Sequence, residues 1–300
     1  MADTPFFIAE VSSNHAGDLG RCIAFIKKAA EIGCDAVKFQ LFRVDELFAP
    51  EILVRSEEHR SRREWELPLE FLPELAAASK DNGIQFCCTP FYMAAVEHLY
   101  DHVDFYKIAS YELPWDGLIE ACAKTGKRLI LSTGMATLPE IEHAAKVFYD
   151  AGGTDLELLH CVSGYPVLPA HCNLAAIETI RAATRCTTGW SDHSRNSEVV
   201  RRAVGRWAAN TVEFHLDMDE QGAEYAAGHC WLPDEIAPVI AACAAGVEGL
   251  KSTAKVPGVE ADGDGVKTPT AAEIDDRPWR ADPSDGLRPT VEVRAQWAKK

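Results

Sequence analysis

The sequence predicts an α/β chain that closes as a (β/α)₈ TIM barrel with a short irregular C-terminal tail. Three observations carry this. Strand-like and helix-like runs alternate, eight pairs in a row. The strand-like runs are almost continuously apolar, as strands buried on both faces are. Eight such units within 300 residues favour a closed barrel over a doubly wound sheet, and no G-x-G-x-x-G fingerprint follows the first run.

The first strand is Phe6–Val11. Leu19, Cys22, Ile23 and Ile26 follow at helical spacing until Gly33 ends the run. The second strand is Asp35–Gln40. A polar insertion, Arg43–Glu66, precedes a helix from about Leu69 to Asn82. The third strand, Ile84–Thr89, is stopped by Pro90, and a short helix covers Met93–Tyr100. The fourth, Val103–Ile108, leads into a helix near Gly117–Lys124. After the fifth, Arg128–Ser132, the segment Thr137-Leu138-Pro139-Glu140 opens a helix as a capping box with proline in its first turn. The sixth, Leu156–Cys161, precedes a helix near Leu174–Thr184. Arg185–Trp190 and Thr211–His215 are the seventh and eighth strands, with a helix at Arg195–Ala209 between them. The last helix runs from about Asp234 to Leu250. Residues 1–250 thus form the barrel. Residues 251–300, rich in Gly, Pro and acids, form an extended tail over its surface and no independent domain. Arg277, Trp279, Arg280 and Arg288 fit either solvated tail charges or the lid of a pocket.

Composition narrows the function. The chain is 47% hydrophobic and 25% charged, ordinary for a globular protein, and no run approaches the ~20 apolar residues of a membrane span. The first residues carry no basic n-region or long apolar h-region, so a cytoplasmic location is expected. A net charge of -16 argues against nucleic acid and anionic membranes as partners. Screening over ~8 Å leaves a few local cations free to set a pocket's sign, so an anionic small substrate stays possible. Ten scattered cysteines without C-x-x-C spacing read as buried free thiols, with Cys87 and Cys88 pointing to opposite strand faces.

In such a barrel, chemistry sits at the carboxyl ends of the strands. Ser191-Asp192-His193 follows strand seven and His215 ends strand eight. If the two strands are neighbours, both imidazoles emerge on one rim, either as a seat for a divalent ion or as two unrelated hydrogen-bonding histidines. Glu10, Asn14, Gln40, Thr89, Ser110, Glu112, Ser132, His160, Ser163 and Tyr165 stand at the same level. Lys38 and Lys107 lie inside apolar strands, where a lone ammonium costs several kcal/mol. They need an anionic partner. That is either Glu10 or Glu112, or a bound phosphate or carboxylate helped by the hydroxyls of Thr89, Ser110 and Ser132.

Seven segments in order carry a resemblance. They are Ile8-Ala9-Glu10-Val11 with Asn14-His15 and Gly17, Ala36-Val37-Lys38-Phe39-Gln40, Cys88-Thr89-Pro90-Phe91, Lys107-Ile108 with Ser110 and Glu112, Leu131-Ser132-Thr133-Gly134-Met135, Leu159-His160-Cys161-Val162-Ser163 with Tyr165-Pro166, and Ser191-Asp192-His193-Ser194. Together they resemble the sialic acid synthase (N-acetylneuraminate synthase) family over roughly residues 6 to 217. The resemblance implies a (β/α)₈ enzyme that condenses phosphoenolpyruvate with an N-acyl hexosamine, giving a 3-deoxy-2-keto sugar acid and phosphate. It implies a Mn²⁺ or Mg²⁺ ion on His193 and His215. Phosphoenolpyruvate would lie against Lys38, Thr89, Lys107, Ser110, Ser163 and Ser191, with Ser132 beside them. The acceptor would meet Gln40 and Tyr165. Glu10 would handle proton or water chemistry, with Lys38 and Glu112 counted alongside it as catalytic candidates. A homodimer is implied too.

Two departures touch the acceptor end. Where relatives carry Gly-Pro-Asp-His, this chain reads Gly222-Ala223-Glu224-Tyr225, so Glu224 is the candidate replacement for the acceptor-binding aspartate. The residues after 250 are too few for the antifreeze-like domain that many members carry. Arg277 or Arg280 is the candidate for that domain's arginine. The acceptor is therefore expected to differ, with another, possibly phosphorylated, aldehyde as the alternative; Arg60, Arg62 and Arg63 would then supply charge. A module that binds phosphoenolpyruvate and metal without turnover is the reading of another class.

Overall fold

Eight parallel strands close in chain order into a barrel in a computed structural model, described over residues 4–246 and 259–298. They are β1 (Phe6–Glu10), β2 (Ala36–Leu41), β3 (Gln85–Pro90), β4 (Phe105–Ile108), β5 (Leu129–Ser132), β6 (Leu156–His160), β7 (Thr187–Asp192) and β8 (Thr211–His215). The β1–β8 pairing, from Phe6↔Thr211 to Glu10↔His215, closes the ring. The outer helices are α1 (Leu19–Glu31), α2 (Leu72–Asp81), α3 (Met93–Tyr100), α4 (Asp116–Lys124), α5 (Leu138–Asp150), α6 (Ala176–Thr184), α7 (Ser197–Gly205) and α8 (Pro233–Ala244).

Local chemistry sets the boundaries. The Thr137–Glu140 capping box opens α5 as expected. α7 starts two residues later than expected because the Asn196 side chain accepts from the backbone N–H groups of Glu198 and Val199. β7 starts at Thr187 because Arg185 takes φ 62°, the left-handed cap of α6. Pro90 does not stop β3 but is its last residue; the next ladder bond runs from Phe91 N to Leu41 O. α8 ends at Ala244, short of the expected Leu250: Ala245 caps it, and residues 247–250 lie outside the described residues.

The strand period of two places the site. Ile8, Ala36, Cys87, Phe105, Ile130 and Leu159 form an apolar floor inside the barrel. Two residues further along the same inward face stand Glu10, Lys38, Thr89, Lys107 and Ser132. The alternate residues, Ala9, Val37, Cys88 and Leu131 among them, pack outward in the main core. Cys87 and Cys88 therefore do face opposite ways, and all ten cysteines are free and buried.

The tail is less irregular than expected. Among its described residues, three 3-10 turns and a helix, α9 (Val291–Trp297), punctuate it. It is hydrogen-bonded along the loops after β6, β5, β4 and β2: Leu174 N to Ala261 O (2.8 Å), Leu138 N to Lys267 O (3.2 Å), Ala281 N to Tyr111 O (2.8 Å), and Arg288 N to Leu47 O (2.8 Å). Asp262 fastens its start, accepting from Arg202 Nε at 2.7 Å and Trp207 Nε1 at 2.6 Å. Among the described residues, no helix is long and apolar enough to cross a membrane.

Candidate active site

One wall of the cup above the floor is a buried charge cluster. Lys38 (3% exposed) pairs with Glu10, lies 3.8 Å from Glu213 and 3.4 Å from the Thr89 hydroxyl. Lys107 (1% exposed) reaches Glu213 at 3.7 Å and donates to Ser132 Oγ at 2.6 Å. Burial works against both ammonium groups. For Lys38 it is outweighed by Glu10 and Glu213, which hold the pKa above its ordinary value. For Lys107 burial prevails, with Glu213 opposing and Lys38 adding repulsion, and the pKa falls. Lys107 is thus the under-compensated cation, where a further anion gains most.

Hydroxyl and amide donors surround that position. Ser110 Oγ accepts from Gly134 N at 2.9 Å, and the buried Ser163 hydroxyl has no hydrogen-bond partner. A Cβ on Gly134 would stand 2.2 Å from Ser163 Oγ and 2.8 Å from Ser110 Oγ, so glycine is what lets the two serines converge. The loop is held from behind by the tail: the buried Glu273 carboxylate accepts from Met135 N and Ser163 N, both at 2.7 Å.

The opposite wall is aromatic and imidazole-rich. The His193 and His215 rings are 5.4 Å apart, with Tyr165 over His193 at 4.2 Å. Rings sharing an ion at ~2.1 Å from each nitrogen have centres no more than about 6.4 Å apart, so the two fit one ion. His193 Nδ1 donates to Val162 O at 2.9 Å, which leaves Nε2 for a ligand. Burial, then His215, push its pKa well down, so the ring is neutral as a ligand must be. His215 Nδ1 donates to Glu224 at 2.8 Å; burial alone would lower its pKa, but Glu224 outweighs that and raises it.

Beside the imidazole wall opens a cleft of about 300 Å³, lined by Ser12, Gln40, Phe42, Trp65, Phe91, Tyr111, Tyr165, His215, Glu224, His229, Arg62 and Arg288. Gln40 Nε2 donates to Glu10 at 2.6 Å and to Ser12 Oγ at 3.0 Å.

The sequence profile described as NeuB family matches residues 25–254. The chain belongs to the NeuB family. It is 34% identical to an N,N'-diacetyllegionaminic acid synthase of Campylobacter jejuni, over 71% of this chain and 67% of that relative. Its fold matches the Bacillus subtilis spore coat polysaccharide biosynthesis protein SpsE with a TM-score of 0.80 at 28% identity, covering 93% and 78% of the two chains. It also matches the Leptospira borgpetersenii N-acetylneuraminic acid synthetase at 0.73 and 28%, covering 92% and 90%. The matched stretch takes in 64 to 68% of the length of the curated relatives, less than two thirds for several.

Within this NeuB barrel most residues singled out in the sequence converge. Glu10, Lys38, Thr89, Lys107, Ser110, Ser132 and Ser163 form the charged wall, and Ser191 stands opposite Glu213 in the β7–β8 register. Gln40, Tyr165 and Glu224 line the cleft. Three placements differ from expectation. Glu112 is buried under the tail, accepting from Arg288 Nε at 2.7 Å, and so is committed to holding that arginine. Arg277 and Arg280 do not reach the cleft; both pair with Glu140 at 2.9 Å and clamp the tail to the start of α5. Arg288 is the tail arginine in the cleft, its guanidinium 4.3 Å from the Tyr111 ring. Of the insertion arginines, Arg62 lines the cleft, whereas Arg60 pairs with Glu57 and Arg63 with Asp45. His160 is a core residue, donating to Cys172 O at 2.9 Å.

Sequence reasoning missed Glu213, His229 and Glu273. Glu213 had a usable signal: it shares the inward parity of Thr211 and His215, against Val212 and Phe214.

Proposed function

We propose that the chain condenses phosphoenolpyruvate with an N-acyl hexosamine or related aldose, giving a 3-deoxy-2-keto sugar acid and inorganic phosphate. The observation that carries this is two buried strand lysines and an unpartnered buried Ser163 hydroxyl at the carboxyl ends of strands in the same barrel that brings the His193 and His215 rings within 5.4 Å of each other. The names of the legionaminic and N-acetylneuraminic acid relatives support the same reaction class.

Lys107, Ser132, Ser163 and the Gly134–Ser110 pair hold the phosphate. Gln40 and Tyr165 orient the acceptor, with its aldehyde toward the imidazole wall. A divalent ion bound by His193 and His215 supplies Lewis-acid polarisation of a carbonyl oxygen. The enol carbon forms a bond to the aldehyde carbon as the aldehyde π bond opens to an alkoxide, and positive charge develops on the carbon that carries phosphate. Glu10 stabilises that charge and takes a proton from the water that adds there, and the proton goes on to the alkoxide to give the product hydroxyl. The hemiketal then collapses to the ketone: its C–O bond to phosphate breaks, phosphate leaves toward Lys107, and the hemiketal hydroxyl proton leaves with it. Manganese or magnesium as the ion, and a homodimer as the working form, rest on the family resemblance.

A second reading has one observation in its favour. Arg62 and Arg288 line the acceptor cleft together, which suits an aldose phosphate. Phosphate release from phosphoenolpyruvate, assayed with Mn²⁺ or Mg²⁺ against N-acetylmannosamine, its 6-phosphate and other aldoses, tests both. Aldose-dependent release is expected. Preference for the phosphate ester selects the second reading, and no release with any aldose contradicts both.

A further inference from the structure

We infer that the ion seat is a three-imidazole site, with His229 joining His193 and His215 and with Glu224 bracing His215 and His229. This rests on the reading that the imidazole wall holds an ion, and goes beyond the two-histidine seat that the resemblance implies.

The placement of His229 is fixed by the fold. Gly228 takes φ 98° and ends the short helix Ala223–Ala227. Trp231 then pairs beside β8: its N–H donates to His215 O at 2.8 Å, and its carbonyl accepts from Asp217 N at 2.9 Å. The Trp231 indole donates to the buried Asp192 at 2.9 Å. This lateral pairing carries His229 alongside His215, with ring centres 4.7 Å apart.

The spacing is that of ligands round one ion. With nitrogens ~2.1 Å from a metal, ring centres at tetrahedral or octahedral angles stand about 4.5–5.3 Å apart. The His215–His229 and His193–His215 separations are 4.7 and 5.4 Å; His193–His229 is wider, at 6.5 Å, the outer limit for two rings on one ion, so His215 is the ring central to the three. His215, Glu224, His229 and Cys230 offer ligand atoms that all lie within 4.8 Å of one another.

His229 is also unsatisfied as it stands. The residue is 4% exposed, its Nδ1 has no hydrogen-bond partner, and its Nε2 lies 3.5 Å from Glu224 Oε2. A buried imidazole with one orphan nitrogen and one long contact is costly unless something else binds it. Glu224 is better placed as a brace than as an acceptor ligand, because its carboxylate already takes His215 Nδ1 and the Ser12 and Ser13 hydroxyls. Three nitrogen donors beside a thiol favour borderline ions such as Zn²⁺ over Mg²⁺, with Mn²⁺ weaker than Zn²⁺.

The test needs no substrate, so its outcome is independent of turnover. Metal-stripped full-length protein is titrated calorimetrically with Zn²⁺ and with Mn²⁺, and the nitrogens coupled to bound Mn²⁺ are counted by electron spin-echo modulation. Three coupled imidazole nitrogens are expected in the wild type and two in His229→Gln, with Mn²⁺ affinity at least tenfold weaker in the variant. A wild-type count of two, no metal binding, or an unchanged affinity in His229→Gln overturns the assignment. The wild-type count decides the matter even where the variant folds poorly. Loss of phosphoenolpyruvate chemistry with a count of three would leave this site standing and remove only the proposed reaction.

Discussion

On the charged wall of the cup, Glu10, Lys38, Thr89, Lys107 and Ser132 are all strand residues two places beyond an apolar floor residue. On the imidazole wall, His193, Tyr165, Glu224 and His229 come from segments between elements or from a short helix, and Arg288 comes from the tail. Barrel register fixes the first group and leaves it little room to vary. Apart from the strand residue His215, the second is held by contacts between segments distant in sequence, such as Trp231 with His215 and Asp192, and Arg288 with Glu112. Under the proposed function, the strand side would keep the phosphoenolpyruvate chemistry while loops and tail change what it is joined to.

The strongest way to break this contrast is on the strand side. Lys107→Met should cost on the order of 10³-fold in kcat/KM, since one charged donor to the phosphate is lost. Steady-state phosphate release should show it as a raised phosphoenolpyruvate KM with a lowered kcat, and an unchanged acceptor KM. A defect confined to the acceptor would reverse the assignment of the walls.

Acid should act through buried histidines outside both walls before it reaches the carboxylates of the charged wall. Burial, partly opposed by Glu224, holds His15 at about 4, below its ordinary 6.5. Between those values the unfolded chain binds the extra proton, so stability falls as pH drops from about 6.5 toward 4. The effect is on the order of 2 kcal/mol for His15 by pH ~4.5, and buried His160, also lowered by burial, adds to it. Glu213 has the same sign in a lower window: burial raises its pKa, but Lys107 and Lys38 outweigh that and lower it, so its contribution is kept until pH falls into the ordinary carboxylate range and is lost below it. Urea midpoints across pH 4.5–7.5 check this. His15→Asn, which keeps an acceptor for Gly17 N, should flatten the curve.

Arg288→Lys keeps a charge for Glu112 but loses the fork and the stack on Tyr111. Roughly a tenfold rise in acceptor KM with phosphoenolpyruvate KM unchanged is expected from initial-rate kinetics. Equal changes in both would mean that the tail supports the whole cup. Smallest of all, Asp262→Asn weakens a partly exposed pair with Arg202 and should cost about 1 kcal/mol in urea unfolding.

The same division decides how much was legible beforehand. The apolar run of β2 announces a strand, and Lys38 within it announces a buried ammonium; parity then puts Lys38 and Lys107 in the lumen. Thr137 and Glu140 announce the start of α5. Nothing comparable marks His229, which lies fourteen positions beyond His215 with no period linking them; only the bridge at Trp231 brings the rings together. Arg277, Arg280 and Arg288 look alike in an aperiodic tail. Which of them enters the cleft depends on Glu140 and Glu112, residues more than 130 positions away. Long-range pairings of that kind leave no local pattern.

The central claim is that the charged wall receives phosphate set free by C–O cleavage after water adds to the carbon that carried it. Phosphoenolpyruvate labelled with ¹⁸O at the bridging position, turned over with an accepted aldose, tests it directly by mass spectrometry of the products. The label is predicted in inorganic phosphate. Its appearance in the keto acid would mean P–O cleavage and would contradict the roles given to Glu10 and Lys107.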